Sequence, residues 1–122
     1  MKSNADVARG IFDAYSRKDR ALAERLLAQD FRFTSPLDNE LSRQQYFEIC
    51  WPNSNAIAGF DFKHVAESGD HVFVTYEGIR SDGKRFRNTE VITVRNGAIR
   101  EVEVYFGWNA PHEVARGQHR DP

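Results

Sequence analysis

From residue 60 onward the chain changes to a period of two, and this constrains its fold more than any other feature of the sequence. Apolar and polar residues alternate through 60–67, 71–80, 85–95 and 99–108, the pattern of strands with one face buried. The breaks carry turn chemistry: Ser68-Gly69-Asp70, Ser81-Asp82-Gly83-Lys84 and Arg95-Asn96-Gly97. Asp-Gly and Asn-Gly favour tight hairpins, so four successive strands are expected to pair as an antiparallel meander.

The first half reads differently. Ser3-Asn4-Ala5-Asp6 has capping-box spacing and precedes Val7, Ile11, Ala14 and Tyr15 at helical intervals, which predicts a first helix. Arg17 and Lys18 suit its C-terminus, and Asp19 caps a shorter helix bearing Leu22, Leu26 and Leu27. Phe31 to Pro36 alternates as a short strand that Pro36 ends, and Leu37-Asp38-Asn39 reads as a loop. Ser42-Arg43-Gln44-Gln45 is a second capping box, opening a third helix with Tyr46, Ile49 and Cys50 on one side, Phe47 and Trp51 nearby, and Pro52 as its stop. Helices followed by a meander predict an α+β domain over 1–110, its helices laid on one face of the sheet, with a polar, frayed tail over 111–122.

Composition narrows the function classes. Seventeen basic and eighteen acidic residues leave a net charge of −1, so no global field recruits nucleic acid or an anionic membrane. Residues 1–10 are polar and no apolar run is long enough to span a bilayer, so a cytoplasmic protein is expected. Cys50, the only cysteine, excludes an internal disulfide and a multi-cysteine metal site and reads as a buried structural thiol. The four histidines lack metal-site spacing, and no glycine-rich phosphate loop or nucleophile triad is visible.

Strict alternation sends Phe86, Asn88, Glu90, Ile92 and Val94 to the helix side of the sheet, with Val72, Val74, Tyr76 and Gly78 on one neighbouring strand and Val102, Val104, Phe106 and Trp108 on the other. Asn88 and Glu90 are a polar island in an apolar row, where a carboxylate is costly to bury without partners. Burial would raise the Glu90 pKa and make it an acid or base poised near neutrality. The bland alternative is that Glu90 orders the core by bonding Asn88, Tyr76 or a group on the first helix, or by pairing with an arginine such as Arg32. His64 points inward if the alternation from Phe60 and Phe62 holds, and could exchange protons there. A bulge near Val65 would turn it outward.

Glu90, His64 and Tyr76 are thus the candidate catalytic residues. Tyr15, Phe33, Ser35, Trp51, Phe62, Asn88, Phe106 and Trp108 are the candidate ligand-binding ones, Ser35 also being able to make only a turn bond before Pro36. Arg80, Lys84, Arg85 and Arg87 form a basic hairpin that could hold an anion or simply protect an edge. The opposite face, with Phe73, Thr75, Ile79, Val91, Thr93 and Tyr105, is too apolar for plain solvent and suggests a homodimer packed through the sheet, or a different protein partner.

The element order, together with Asp19, Asp30-Phe31 leading to Pro36, Gly69-Asp70 and the Asn96-Gly97 hairpin before the closing strand through Gly107, resembles the SnoaL-like members of the nuclear transport factor 2 superfamily over nearly the whole chain. The resemblance implies a cone-shaped barrel of curved antiparallel sheet with three N-terminal helices, a ligand pocket, frequent homodimers and no required cofactor. It does not imply one reaction, because this fold hosts isomerases, cyclases, hydrolases and non-catalytic modules. Compared with ketosteroid isomerase of the same superfamily, the general-base aspartate position before a proline is Ser35, the oxyanion-hole tyrosine position falls near Ile11 with Tyr15 one turn on, and the protonated oxyanion-hole aspartate falls at Glu90. Steroid isomerisation by that mechanism is not expected. The sequence points to a small-molecule pocket acting by acid/base chemistry on a hydrophobic carbonyl or polyketide-like compound, with a non-catalytic binding module or a dimerisation domain as alternatives.

Overall fold

In the computed structural model, which describes residues 2–122, the chain opens with α1 (Asn4–Arg17). Ser3 caps it as expected: its hydroxyl accepts from the Asp6 amide at 3.1 Å, and the Asp6 carboxylate accepts from the Ser3 amide. Lys18 ends it in the left-handed region (φ 57°), its amide returning to the Ala14 and Tyr15 carbonyls. Asp19 then caps α2 (Arg20–Leu26) by accepting from the Leu22 amide at 3.1 Å. Leu27 passes directly into β1 (Leu27–Ser35).

The segment read as a loop at Leu37–Asn39 is in part a strand. β2 (Asp38–Ser42) pairs antiparallel with β1 in a hairpin, Ser35 opposite Asp38 and Phe33 opposite Leu41. Its polar, half-exposed residues occupy a sheet edge, where one side of the backbone needs no ladder partner and no apolar alternation marks the strand. Ser42 caps α3 through a full capping box with Gln45, as its spacing predicts. However, α3 (Arg43–Gln45) is a single α turn that runs into a π turn over Tyr46–Cys50 and a 3-10 stretch over Trp51–Ala56. The wider turn, closed by the Trp51 amide donating to the Tyr46 carbonyl, turns Tyr46, Phe47, Cys50 and Trp51 to the core and leaves Ile49 exposed. Pro52 lies inside the 3-10 stretch rather than stopping the helical segment.

β3 (Ile57–Ser68), β4 (His71–Arg80), β5 (Arg85–Arg95) and β6 (Ala98–Ala110) form the expected meander. β1 adds to β6 in parallel, giving one six-stranded sheet in the order β2-β1-β6-β5-β4-β3. The sheet is curved but does not close into a barrel, because β2 and β3 remain separate edges. The helical layer differs from three N-terminal helices: two α-helices lead, and the mixed α3 segment follows two strands.

α1 lies across the inner face and buries Val7, Ala8, Ile11, Phe12 and Ala14 against it. Phe12 meets Phe60, Phe62 and Tyr76 edge-on, with ring centroids 5.0–5.3 Å apart. Val72, Val74, Ile92, Val94 and Ile99 are fully buried beneath. Each such side chain contributes about 1.5–3 kcal/mol of burial, which fixes the sheet register and hence the positions of the polar residues among them.

Candidate ligand pocket

Strand register assembles the site. Tyr76 lies opposite Asn88, and Asn88 opposite Phe106; one pair along, Val74 lies opposite Glu90, and Glu90 opposite Val104. Tyr76, Asn88 and Glu90 supply polar groups to a cavity of about 770 Å³. Its apolar wall comes from Ile11 and Phe12 of α1, Leu27, Phe31 and Phe33 of β1, Phe60 of β3, Phe86 of β5 and Val102 of β6. The volume is that of a small-molecule pocket.

A bulge in β6 anchors the polar groups. Between the pairs Phe86–Asn109 and Asn88–Phe106, two β6 residues, Gly107 and Trp108, face the single residue Arg87. A Cβ at position 107 would collide with the Arg87 carbonyl, so glycine permits this approach. The Gly107 amide donates to Asn88 Oδ1 at 3.3 Å, Asn88 Nδ2 donates to the Tyr76 hydroxyl at 3.4 Å, and the Tyr76 hydroxyl donates to Glu90 Oε2 at 2.6 Å.

Burial pushes the Glu90 carboxyl up to about 7, with the Tyr76 hydrogen bond acting in the opposite direction. The Tyr76 phenol is driven far above its ordinary range by burial and by the neighbouring carboxylate, so it remains a donor. Tyr15 is raised by burial and donates to the Cys50 carbonyl at 3.1 Å. Cys50 is pushed up to about 11 by burial, with Asp38 adding to the effect, and stays a neutral thiol. The site therefore offers a carboxyl group able to give or take a proton near neutral pH, beside phenols that stay protonated.

The structure brings Tyr15, Phe33, Ser35, Tyr76, Asn88, Glu90, Phe106 and Trp108 to this cavity. It does not bring His64. Phe62 pairs with Tyr76 but His64 pairs with Thr75, so Lys63 is the extra residue of a bulge that turns His64 to the exposed outer face. Trp51 is buried behind the Tyr15 ring, edge-on at 5.4 Å, and Phe62 packs between Phe12 and Arg9; neither lines the cavity. Ser35 makes the turn bond: its hydroxyl donates to Asp38 Oδ2 at 2.7 Å and accepts from the Leu37 amide at 3.0 Å. Trp108, shifted by the β6 bulge out of the inward row, sits at the mouth against His112. The tail is irregular but held there, with Asn109 Nδ2 donating to Glu113 at 2.8 Å and Arg120 to the same carboxylate at 3.3 Å, so His112, Glu113 and Arg120 border the opening.

Asp38, Tyr46 and Arg120 are among the lining residues not singled out for the site from sequence. Asp38 follows from the unrecognised β2, Arg120 from the fold-back of the tail, and Tyr46 from the π turn, whose only sequence sign is the run of large side chains after the Ser42 cap. Of the basic hairpin, Arg80 and Arg87 reach the rim. Arg87 also donates to Glu77 at 2.6 Å, and this bond, with Lys63 and Arg85 nearby, holds the Glu77 carboxyl below its usual range. Among the described residues, no group of His, Cys, Asp and Glu could hold a metal ion, and no helix is long and apolar enough to cross a membrane.

A curved open sheet covered by helices around an apolar pocket with a few convergent polar groups defines a ligand-pocket α+β protein. The SnoaL-like domain family model matches residues 8–102, and the chain belongs to that family. No curated protein matches it in sequence. Among solved structures, a provisionally assigned ketosteroid isomerase from Kribbella flavida is 17% identical with a TM-score of 0.72, covering 98% of this chain and 90% of its own. A provisionally assigned polyketide cyclase from Sinorhizobium meliloti is 18% identical with a TM-score of 0.71, covering 81% and 93%. A de novo designed protein with a curved β-sheet is 17% identical with a TM-score of 0.74, covering 88% of each chain. At these identities the likeness is one of fold. That a designed chain shares it underlines that activity must be argued from the site.

Proposed function

We propose that this protein binds a small, mostly apolar compound carrying a carbonyl group and acts on it by acid/base chemistry without a cofactor, in the manner of an isomerase, cyclase or hydrolase. The observation that supports this reading is Glu90: a carboxyl held near neutrality by burial, hydrogen-bonded by Tyr76, inside a cavity of ligand size. In its protonated form it donates to a carbonyl oxygen; in its ionised form it accepts a proton from a carbon or water nucleophile. Tyr76 and Asn88 orient it, and the aromatic walls supply contact area.

A second reading, a binding module without chemistry, is favoured by Ser35. The residue at the superfamily's general-base position is a hydroxyl already committed to Asp38. Turnover of a panel of cyclic enones and linear polyketones by wild type and Glu90→Gln separates the two. Acid/base catalysis predicts a rate that follows a single ionisation near pH 7 and falls at least ~100-fold in Glu90→Gln. Binding of the same compounds with no turnover at any pH would establish the module instead. We propose, in addition, that two copies associate through the outer sheet face around Phe73, Ile79, Val91 and Tyr105.

A further inference from the structure

Of the six large apolar side chains left exposed among the described residues, three line the cavity: Leu37 is 82% exposed, Phe106 52% and Trp108 50%. Being both exposed and part of the lining, they form a collar at its opening. The other three are scattered, Phe73 and Tyr105 on the outer sheet face and Ile49 on the α3 segment. Leaving side chains of this size in water forgoes the free energy of burying them, so their grouping at one opening calls for a cause.

The backbone fixes two of them there. Leu37 stands at the tip of the β1–β2 hairpin, after Pro36. The Ser35 hydroxyl accepts from the Leu37 amide at 3.0 Å and donates to Asp38 at 2.7 Å, which holds the tip in place although its side chain packs on little. Trp108 is brought to the opening by the β6 bulge. Its ring has the His112 ring at 5.3 Å and the Arg87 guanidinium at 5.8 Å, and Arg87 is itself anchored to Glu77 at 2.6 Å. An indole that is half exposed yet held by two neighbours is a pre-organised contact, with little ordering left for binding to impose.

The collar continues the cavity wall, so what covers it lies in the same opening. Glu113 and Arg120 form an exposed ion pair at 3.3 Å on that rim. A flat partner, whether a protein or a bilayer, would have to take this pair out of water. A ligand lying in the opening covers the apolar side chains and leaves the pair solvated.

We propose that Leu37, Phe106 and Trp108 hold the distal end of an elongated ligand, whose apolar body runs from the polar groups around Glu90 out through the opening. This rests on the reading of the cavity as a ligand site and narrows the ligand class to extended apolar carbonyl compounds longer than the cavity is deep. Leu37 and Trp108 then select for length, a property that the polar groups inside cannot read.

Rigid para-linked rods test this, because they cannot fold back into the cavity: acetophenone, para-acetylbiphenyl and para-acetylterphenyl. Wild-type affinity is expected to rise along the series, by about tenfold at the step that reaches the collar. Leu37→Ser and Trp108→Ala are each expected to bind acetophenone as wild type does and to lose about tenfold for the longest rod. A loss confined to long rods is a result that general damage to the fold would not give. Equal losses at every length, failure of either variant to weaken the longest rod, or a wild-type affinity that does not rise with length overturns the collar while the cavity reading stands. If wild type binds none of the rods, both fall. If the variants bind the rods as wild type does but lose attachment to vesicles of equal parts phosphatidylcholine and phosphatidylglycerol, or sediment at a lower mass, the collar meets a bilayer or a second copy and the proposal is overturned.

Discussion

Glu90 is the residue at which burial and charge conflict, and the conflict has a definite pH signature. Its neighbours along the inner face of the strand are Asn88 and Ile92, its cross-strand neighbours are Val74 and Val104, and its side-chain hydrogen bond comes from Tyr76. Because its pKa rises from 4.5 in the unfolded chain to about 7 in the fold, the folded state holds the proton more tightly. Stability is therefore full below pH 4.5 on this account and is lost as pH rises to 7, by on the order of 3 kcal/mol. Glu90→Gln keeps an acceptor for Tyr76 and removes the ionisation. Thermal unfolding should show the variant close to wild type at pH 4.5 and several degrees more stable at pH 8.5. An equal difference at both pH values would mean that ionising the buried carboxyl costs the fold nothing. The island of Asn88 and Glu90 was legible because the alternation on β5 is unbroken across it, and a polar pair in an apolar row can be read directly from period two. Ile49 was misplaced, since helical spacing assumes 3.6 residues per turn and the π turn departs from it, keeping Tyr46 and Cys50 inward but leaving Ile49 exposed.

At the scale of elements, strand existence follows from residue pattern, but strand facing also depends on bulges, which cross-strand contacts create. Lys63 and the Gly107-Trp108 pair each add a residue to one strand, and each reverses the facing of the residues beyond it: His64 leaves the inner side, and Trp108 moves from the inward row to the mouth. No local composition announces Lys63, whereas Gly107 is a recognisable site for a bulge only once its partner strand is known. β2 escaped detection for a related reason, as an edge strand can be polar on both faces. The Gly107 bulge carries a direct consequence. Gly107→Ala forces a Cβ against the Arg87 carbonyl, so β6 must move away from β5 at the point where the Gly107 amide holds Asn88. Urea unfolding should show a loss of about 1–3 kcal/mol, the usual cost of forcing atoms into a packed site. The Asn88–Tyr76–Glu90 chain should loosen with it, read as a shift in the Glu90 titration. A variant with wild-type stability and titration would show that the bulge relaxes without cost.

For the whole molecule, the two faces of the sheet pose different problems. The inner face is covered by α1 and by the α3 segment, and the cavity mouth is bordered by the tail. Among the described residues no element covers the outer face, yet Phe73 and Tyr105 stand 41% and 54% exposed on it, beside the half-buried Ile79 and Val91 and the Thr75–Thr89 hydroxyl pair at 2.8 Å. On the proposed association, a row of this kind across adjacent strands meets its own copy, since a twofold axis matches one patch with itself. The charged cluster of Glu77 with Arg87, Arg85 and Lys63 lies towards one end of the same face and would remain at the rim. Sedimentation of the wild-type protein at micromolar concentration is then expected to give twice the 14.1 kDa chain mass. Phe73→Asp, which places a carboxylate at the patch without touching the inner core, is expected to give the single-chain mass with an unchanged fold by circular dichroism. The cavity lies on the other side of the sheet, so affinity for the cyclic enones should be the same in both. A wild-type protein that sediments as one chain at all concentrations would leave the outer face without a second copy to cover it.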